Sequence, residues 1–198
     1  MYRISSKGTR VNAIFLDRDG VLLREPLFDP SIGPTSEVID SLDKFEILPS
    51  VKTAFTRLKD TSYHCFVITN QDGLADGSLS SKLYLEMNGR LCRFISSETG
   101  ARIDSIYTCP HAINSGCSCR KPKRGLIDQA LNEHPDIDLS GTWLIGDRQT
   151  DIALAHNIGV RSIFIAGEHS LSPEFIPDHR AADLADAVDH ILAGHSPK

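Results

Sequence analysis

Val11-Asn12-Ala13-Ile14-Phe15-Leu16-Asp17-Arg18-Asp19-Gly20-Val21 is a short, nearly continuous apolar run that ends abruptly in two acids and a glycine. A run of this length predicts a strand over Val11–Leu16, and the lack of alternation predicts that both faces are covered, as in a parallel sheet. His64–Thr69, Ile103–Thr108, Thr142–Ile145 and Val160–Ile165 have the same form and are read the same way. Amphipathic stretches separate them. Pro49 suits a first helical position, and Val51, Ala54, Phe55 and Leu58 follow at helical spacing. Ser80 or Ser81 can cap a helix carrying Leu83, Met87, Leu91, Phe94 and Ile95, which Gly100 ends. Further helices are expected over Gly125–Glu133, Thr150–Ile158 and Ala182–Leu192. Alternating strands and helices predict an α/β chain: a Rossmann-like three-layer sandwich with a mostly parallel central sheet and no large cap domain. Arg24–Ser36, with three prolines and a glycine, reads as a loop, and Gly194–Lys198 as a loose tail.

The chain has 198 residues, 40% hydrophobic and 24% charged, which suits one folded domain spanning residues 1–198. Its net charge of −5 carries no broad basic footprint, so neither nucleic acid nor an anionic membrane is an expected partner. No apolar run approaches a bilayer span, and the one that follows Arg3, Lys7 and Arg10 is too short and too soon charged for a signal core. A cytoplasmic protein is expected.

Ligands of an open parallel sheet bind at the carboxyl ends of its strands. The chemistry-bearing residues stand there. Asp17-Arg18-Asp19-Gly20 follows the first strand and Thr69-Asn70-Gln71 the second. Arg120-Lys121-Pro122 comes after the third, and Gly146-Asp147-Arg148-Gln149-Thr150-Asp151 after the fourth. An Asp-x-Asp pair alone is ordinarily a solvated loop or a helix cap; four such groups in this order compose a phosphoryl-transfer site. A carboxylate such as Asp17 can attack phosphorus and split one hard step into two. An anion attacking a phosphate needs a bridging cation, and Mg²⁺ takes one or two carboxylates, here Asp17 and Asp147. Asp19 can act as general acid to the leaving alkoxide and then as base for the hydrolytic water. Thr69, Asn70 and Lys121 would donate to the peripheral phosphoryl oxygens, with Arg120 beside them. Asp151, one helical turn past Asp147, suits orientation of Lys121 or of a metal-bound water rather than direct ligation, or a first-turn acid at a helix N-terminus. Arg148 is equally readable as a substrate contact or an exposed charge. Cys65 and Cys92 read as core residues, and His64, His134, His156, His169, His179, His190 and His195 as surface or core histidines.

Cys109, His111, Cys117 and Cys119 form a Cys-x-His-x5-Cys-x-Cys set, a closed tetrahedral ligand set for structural Zn²⁺ with no open position for substrate. Fixing this 109–119 loop would fix Arg120 and Lys121, which follow it directly.

These residues resemble the four motifs of the haloacid dehalogenase (HAD) superfamily phosphatases, from about Val11 to Ile165. Ile68-Thr69-Asn70-Gln71-Asp72-Gly73-Leu74, Cys109-Pro110-His111 and Cys117-x-Cys119-Arg120-Lys121-Pro122-Lys123 are similar to the histidinol-phosphate phosphatase and D,D-heptose 1,7-bisphosphate phosphatase branch, which carries a zinc loop instead of a large cap. The resemblance implies Asp17 as nucleophile, Asp19 as acid/base, and Mg²⁺ held by Asp17, Asp147 and the Asp19 backbone carbonyl. It implies a small phosphorylated metabolite as substrate. Heptose enzymes often read Ser-Gly-Ile-Ala-Arg-Gly where this chain has Asp72-Gly73-Leu74-Ala75-Asp76-Gly77. An acid in place of that arginine counts against a second, distal phosphate and narrowly favours histidinol phosphate. The chain's length is not expected to hold the dehydratase domain often fused to histidinol-phosphate phosphatases. Two rivals are an end-processing phosphatase of nucleic acid, which acidic charge disfavours, and a non-catalytic zinc-organised interaction module, which retention of every catalytic group disfavours.

Overall fold

The computed structural model describes residues 10–27, 31, 38–167 and 169–194. Six strands, β1 (Ala13–Leu16), β2 (His64–Asn70), β3 (Ser105–Cys109), β4 (Trp143–Gly146), β5 (Arg161–Ile165) and β6 (His179–Ala181), form one sheet in the order β3-β2-β1-β4-β5-β6. Every pairing is parallel. The helices are α1 (Pro49–Leu58), α2 (Gly73–Asp76), α3 (Ser81–Thr99), α4 (Gly125–Glu133), α5 (Gln149–Ile158) and α6 (Leu184–Ala193).

The covered-strand reading explains the layers. Ile14 and Leu16 of β1 face one core with Phe55 of α1, Leu91 of α3 and Val188 of α6. Ala13 and Phe15 face the other core with Ile127 of α4 and Leu154 of α5. A strand buried on both faces therefore reads as an unbroken apolar run. The caps also follow the sequence: Ser80 Oγ accepts from the Leu83 amide at 3.2 Å, and Gly100 closes α3 at φ 74°.

Differences from expectation are local. Val11 makes only an isolated bridge to Ile137, so β1 begins at Ala13. Strand β6, three residues at the sheet edge, and helix α2, four residues, were not anticipated, being too short to show a period. Helix α6 begins at Leu184 because Asp183 caps it, accepting from the Asp186 amide. Cys65 is buried as expected, whereas Cys92 is only partly buried. Of the Arg24–Ser36 loop, residues 28–30 and 32–36 lie outside the described residues, as do residues 195–198 of the tail. Among the described residues, no helix is long and apolar enough to cross a membrane.

Strands β1 and β4 are neighbours, yet their connections leave in opposite directions across the sheet. Their tips flank the crevice where strand order reverses.

Candidate active site

Asp17 follows β1 and Asp147 follows β4, which puts two carboxylates side by side at that crevice. Gly20 is required there twice over. Its φ is +77°, and a Cβ would come within 2.0 Å of Asp147 Oδ2. At Gly146 a Cβ would stand 2.3 Å from the Asp151 side chain, so α5 can bring Asp151 beneath the strand tip only because residue 146 has none.

Lys121 arrives from the loop after β3. Its ammonium lies 2.8 Å from Asp17 Oδ2 and 2.7 Å from Asp151 Oδ1, with the lysine side chain only 2% exposed. Burial acts to lower the Lys121 pKa, but the Asp151 and Asp17 carboxylates outweigh it and hold the group above its ordinary value. Burial also pushes the Asp17 carboxyl up to about 7 against the pull of Lys121, with Asp151 and Asp19 adding to the rise. Asp147 is pushed up to about 9, by burial first and then by the Asp17, Asp151 and Glu25 carboxylates. Its Oδ1 is buried with no hydrogen-bond partner among the described residues.

Two buried acids thus share one ammonium with a third beside them, and oxygen atoms of Asp17, Asp147 and Asp151 lie within 4.8 Å of one another. Unbalanced negative charge built from hard oxygen donors fits a divalent ion such as Mg²⁺. Asp17 and Asp151 each already hold the Lys121 ammonium and one backbone amide, that of Arg18 at 2.7 Å and that of Arg148 at 3.2 Å, whereas Asp147 Oδ1 has no hydrogen-bond partner among the described residues, which makes Asp147 the freest of the three to ligate.

The other residues singled out in the sequence are brought to the same place, some with unexpected partners. A cavity of about 320 Å³ is lined by Asp17, Asp19, Thr69, Asn70, Arg120, Lys121 and Arg148. Asn70 Oδ1 accepts from the Lys121 amide at 3.0 Å and its Nδ2 donates to the Lys121 carbonyl at 3.3 Å. This amide braces the lysine loop as well as facing the cavity. Thr69 Oγ1 accepts from Gln71 Nε2 at 2.9 Å. Arg120 Nη1 stands 3.4 Å from Asp72 Oδ1. Arg148 Nη2 donates to Glu25 Oε1 at 2.5 Å, and the other oxygen of Glu25 meets His169 at 2.9 Å. From the sequence, Arg18, Gln71 and Glu25 carried no role of their own, and His169 read as a surface or core histidine. Arg18 and Gln71 stood inside motifs already quoted, whereas Glu25 and His169 are 144 positions apart and share no local pattern.

The Cys/His loop closes on itself. Sγ of Cys109 lies 3.7 Å from that of Cys117 and 3.2 Å from that of Cys119, and His111 Nδ1 is 3.1 Å from Cys119 Sγ. Ligands about 2.0–2.3 Å from a tetrahedral Zn²⁺ are separated by about 3.3–3.8 Å; the 3.7 Å spacing lies in that range and the 3.1 and 3.2 Å spacings fall just short of it, so small shifts would seat the ion. Burial pushes the Cys109 thiol up to about 12, whereas a hydrogen bond from Ser115 brings Cys117 down to about 6. All five cysteines are free of disulfides. Lys123 Nζ donates to the Cys117 carbonyl at 2.6 Å and ties the loop to the segment bearing Lys121.

Known proteins share both sequence and architecture with this chain. The family model for HAD-like hydrolases matches residues 118–189. The chain is 33% identical over 203 residues to a D-glycero-D-manno-heptose-1,7-bisphosphate 7-phosphatase of Thermosynechococcus vestitus, covering 94% of this chain and 98% of the relative. It is 36% identical over 150 residues to the histidine biosynthesis bifunctional protein HisB of Blochmanniella floridana; the match takes in 76% of this chain but only 40% of that longer protein. A crystal structure of D,D-heptose 1,7-bisphosphate phosphatase from B. bronchiseptica, complexed with magnesium and phosphate, superposes with a TM-score of 0.77 at 27% identity, covering 92% of this chain and 99% of that one. With its strand-tip acids, lysine and Cys/His loop, the chain belongs to the haloacid dehalogenase superfamily, in the branch that groups the phosphatase part of HisB with the heptose bisphosphate phosphatases.

Proposed function

We propose that this chain is a single-domain, Mg²⁺-dependent phosphomonoesterase acting on a small phosphorylated metabolite through a phosphorylated Asp17. The observation that carries the reading is the Lys121 ammonium held between Asp17 and Asp151, beside Asp147, whose Oδ1 has no hydrogen-bond partner among the described residues. Mg²⁺ held by Asp17, Asp147 and the Asp19 backbone carbonyl would neutralise charge on the phosphoryl group and the attacking carboxylate. Lys121 contributes to the same end and favours the ionised form of Asp17 against the burial that opposes it. The Arg18 amide donates to Asp17 Oδ1 at 2.7 Å, and Lys121 approaches Oδ2, so the nucleophile is held from both sides. Thr69, Asn70 and Arg120 line the wall on which the peripheral phosphoryl oxygens would lie. Asp19 gives a proton to the departing alkoxide and takes one from the water that hydrolyses the aspartyl phosphate. The cysteine loop binds structural Zn²⁺ and steadies Arg120 and Lys121.

Histidinol phosphate is the narrowly preferred substrate. Each guanidinium lining the cavity among the described residues already has a carboxylate partner, Arg120 with Asp72 and Arg148 with Glu25, so a second phosphate finds no unpaired one. Val38, Ile39 and the exposed Ile113 give the rim an apolar side for a ring. The end-to-end match with a heptose bisphosphate phosphatase favours the second reading. Phosphate release measured side by side with histidinol phosphate, heptose 1,7-bisphosphate and a 3′-phosphorylated oligonucleotide tests both. Turnover of the oligonucleotide alone, or an active Asp17→Asn enzyme, would overturn the proposal.

A further inference from the structure

A buried arginine sits between the two acids of the Asp17-x-Asp19 pair, and the chemistry described so far gives its side chain nothing to do. The Arg18 side chain is 1% exposed. Its Nε donates to Asp19 Oδ1 at 2.9 Å and its Nη2 to Asp19 Oδ2 at 3.0 Å, a two-pronged grip on one carboxylate. The far side of the guanidinium is fixed as well. Nη2 also donates to Gln71 Oε1 at 2.9 Å, Nη1 lies 3.4 Å from Asn88 Oδ1, and the Tyr84 ring sits 5.1 Å from the central carbon. Gln71 then turns its amide nitrogen on Asp19 Oδ2 at 2.7 Å. The amide orientation is forced: reversed, its oxygen would face the carboxylate and its nitrogen the guanidinium.

A carboxylate offers about four acceptor sites, two on each oxygen. Oδ2 of Asp19 receives two donors, Arg18 Nη2 and Gln71 Nε2, and is filled. Among the described residues Oδ1 receives Arg18 Nε alone, which leaves one lone pair. We propose that Arg18 is a positioning residue that, with Gln71, makes Asp19 Oδ1 the single atom through which the catalytic proton passes. The proposal rests on the reading of Asp19 as acid/base. In the first half-reaction the O–H bond on Oδ1 breaks, its proton goes to the leaving alkoxide oxygen, and the phosphoryl group passes to Asp17. In the second, water gives its proton to the same lone pair as its oxygen bonds phosphorus and Asp17 departs. The clamp never opens, so the carboxylate need not rotate between the steps.

The test separates proton transfer from mere architecture by changing the leaving group. A nitrophenolate leaves without a proton, whereas an alkoxide needs one, and kcat/KM reports the step in which the group departs. The value is measured with Mg²⁺ for p-nitrophenyl phosphate and glycerol 2-phosphate on wild type, Asp19→Ala, Arg18→Lys and Gln71→Leu. Lysine keeps the charge and loses the fork. Arg18→Lys is expected to lose about 10²-fold on the alkyl ester, the size of a general-acid contribution, and far less on the nitrophenyl ester. Gln71→Leu is expected to show the same split in smaller degree, and it is read alone if Arg18→Lys fails to fold by circular dichroism. Equal losses on both esters in these variants, with a split in Asp19→Ala, would overturn the role of Arg18. Equal losses in Asp19→Ala itself would overturn the acid/base reading, and the proposal with it.

Discussion

Replacing Lys121 by methionine keeps most of the side-chain volume and removes the charge that two buried acids share. Its ammonium is 2.8 Å from Asp17 and 2.7 Å from Asp151, whose side chains are 9% and 0% exposed, so solvent screens neither contact. Stranding one member of a buried ion pair costs about 3–5 kcal/mol. A domain of this size holds roughly 5–15 kcal/mol in total, so the loss is a large fraction of its stability. At about 2–4 °C per kcal/mol, the melting temperature should fall by roughly 6–20 °C. The sharper test is a double-mutant cycle followed by urea unfolding without added Mg²⁺. Lys121→Met with Asp151→Asn removes the ammonium and one stranded carboxylate together, so the double variant should be more stable than Lys121→Met alone. Additivity within about 0.5 kcal/mol would refute the reasoning, because residues sharing a network do not add. Added Mg²⁺ should also stabilise Lys121→Met more than wild type, since the remaining acids gain from any cation.

Gly20→Ala should cost about 1–2 kcal/mol from the positive φ alone and, by displacing Asp147, weaken Mg²⁺ binding measured by calorimetry. Cys119→Ser should lose bound zinc by metal analysis, lower the melting temperature and reduce turnover together; an active, stable, zinc-free variant would show that the loop does not support Lys121. His190, though exposed, is held below its ordinary value of 6.5 by partial desolvation and by its neighbours His179 and Arg161. The unfolded chain therefore binds the proton more readily, so stability should fall as pH drops below 6.5 toward the folded value. His190→Phe should flatten that part of a melting-temperature profile between about pH 7.5 and about pH 5.5.

The sheet and the four strand tips were legible because each rests on a local pattern: an unbroken apolar run, then a polar residue whose chemistry matches its neighbours'. Helix α4 was placed to the residue, and α3 by its serine and glycine ends. What could not be read depends on contacts distant in sequence. Arg18 looks like a solvated charge until Tyr84, Asn88 and Gln71 close over it, and no spacing announces their approach. The amide of Asn70 was read toward the phosphate, although its bonds to the Lys121 backbone span 51 positions. Strand β6 owes its pairing to a neighbour, with Ile163 opposite His179, and its three residues carry no pattern of their own.

The five residues between His111 and Cys117 are exposed, and Ile113 among them reaches the cavity wall. Both ends of that segment are anchored, at β3 and beside Arg120, so its middle can be recoded without shifting the groups that grip the anion. Selection for a new metabolite therefore has a place to act where trial changes leave bond cleavage intact. Shape preference and reactivity can drift apart within one sheet and its loops.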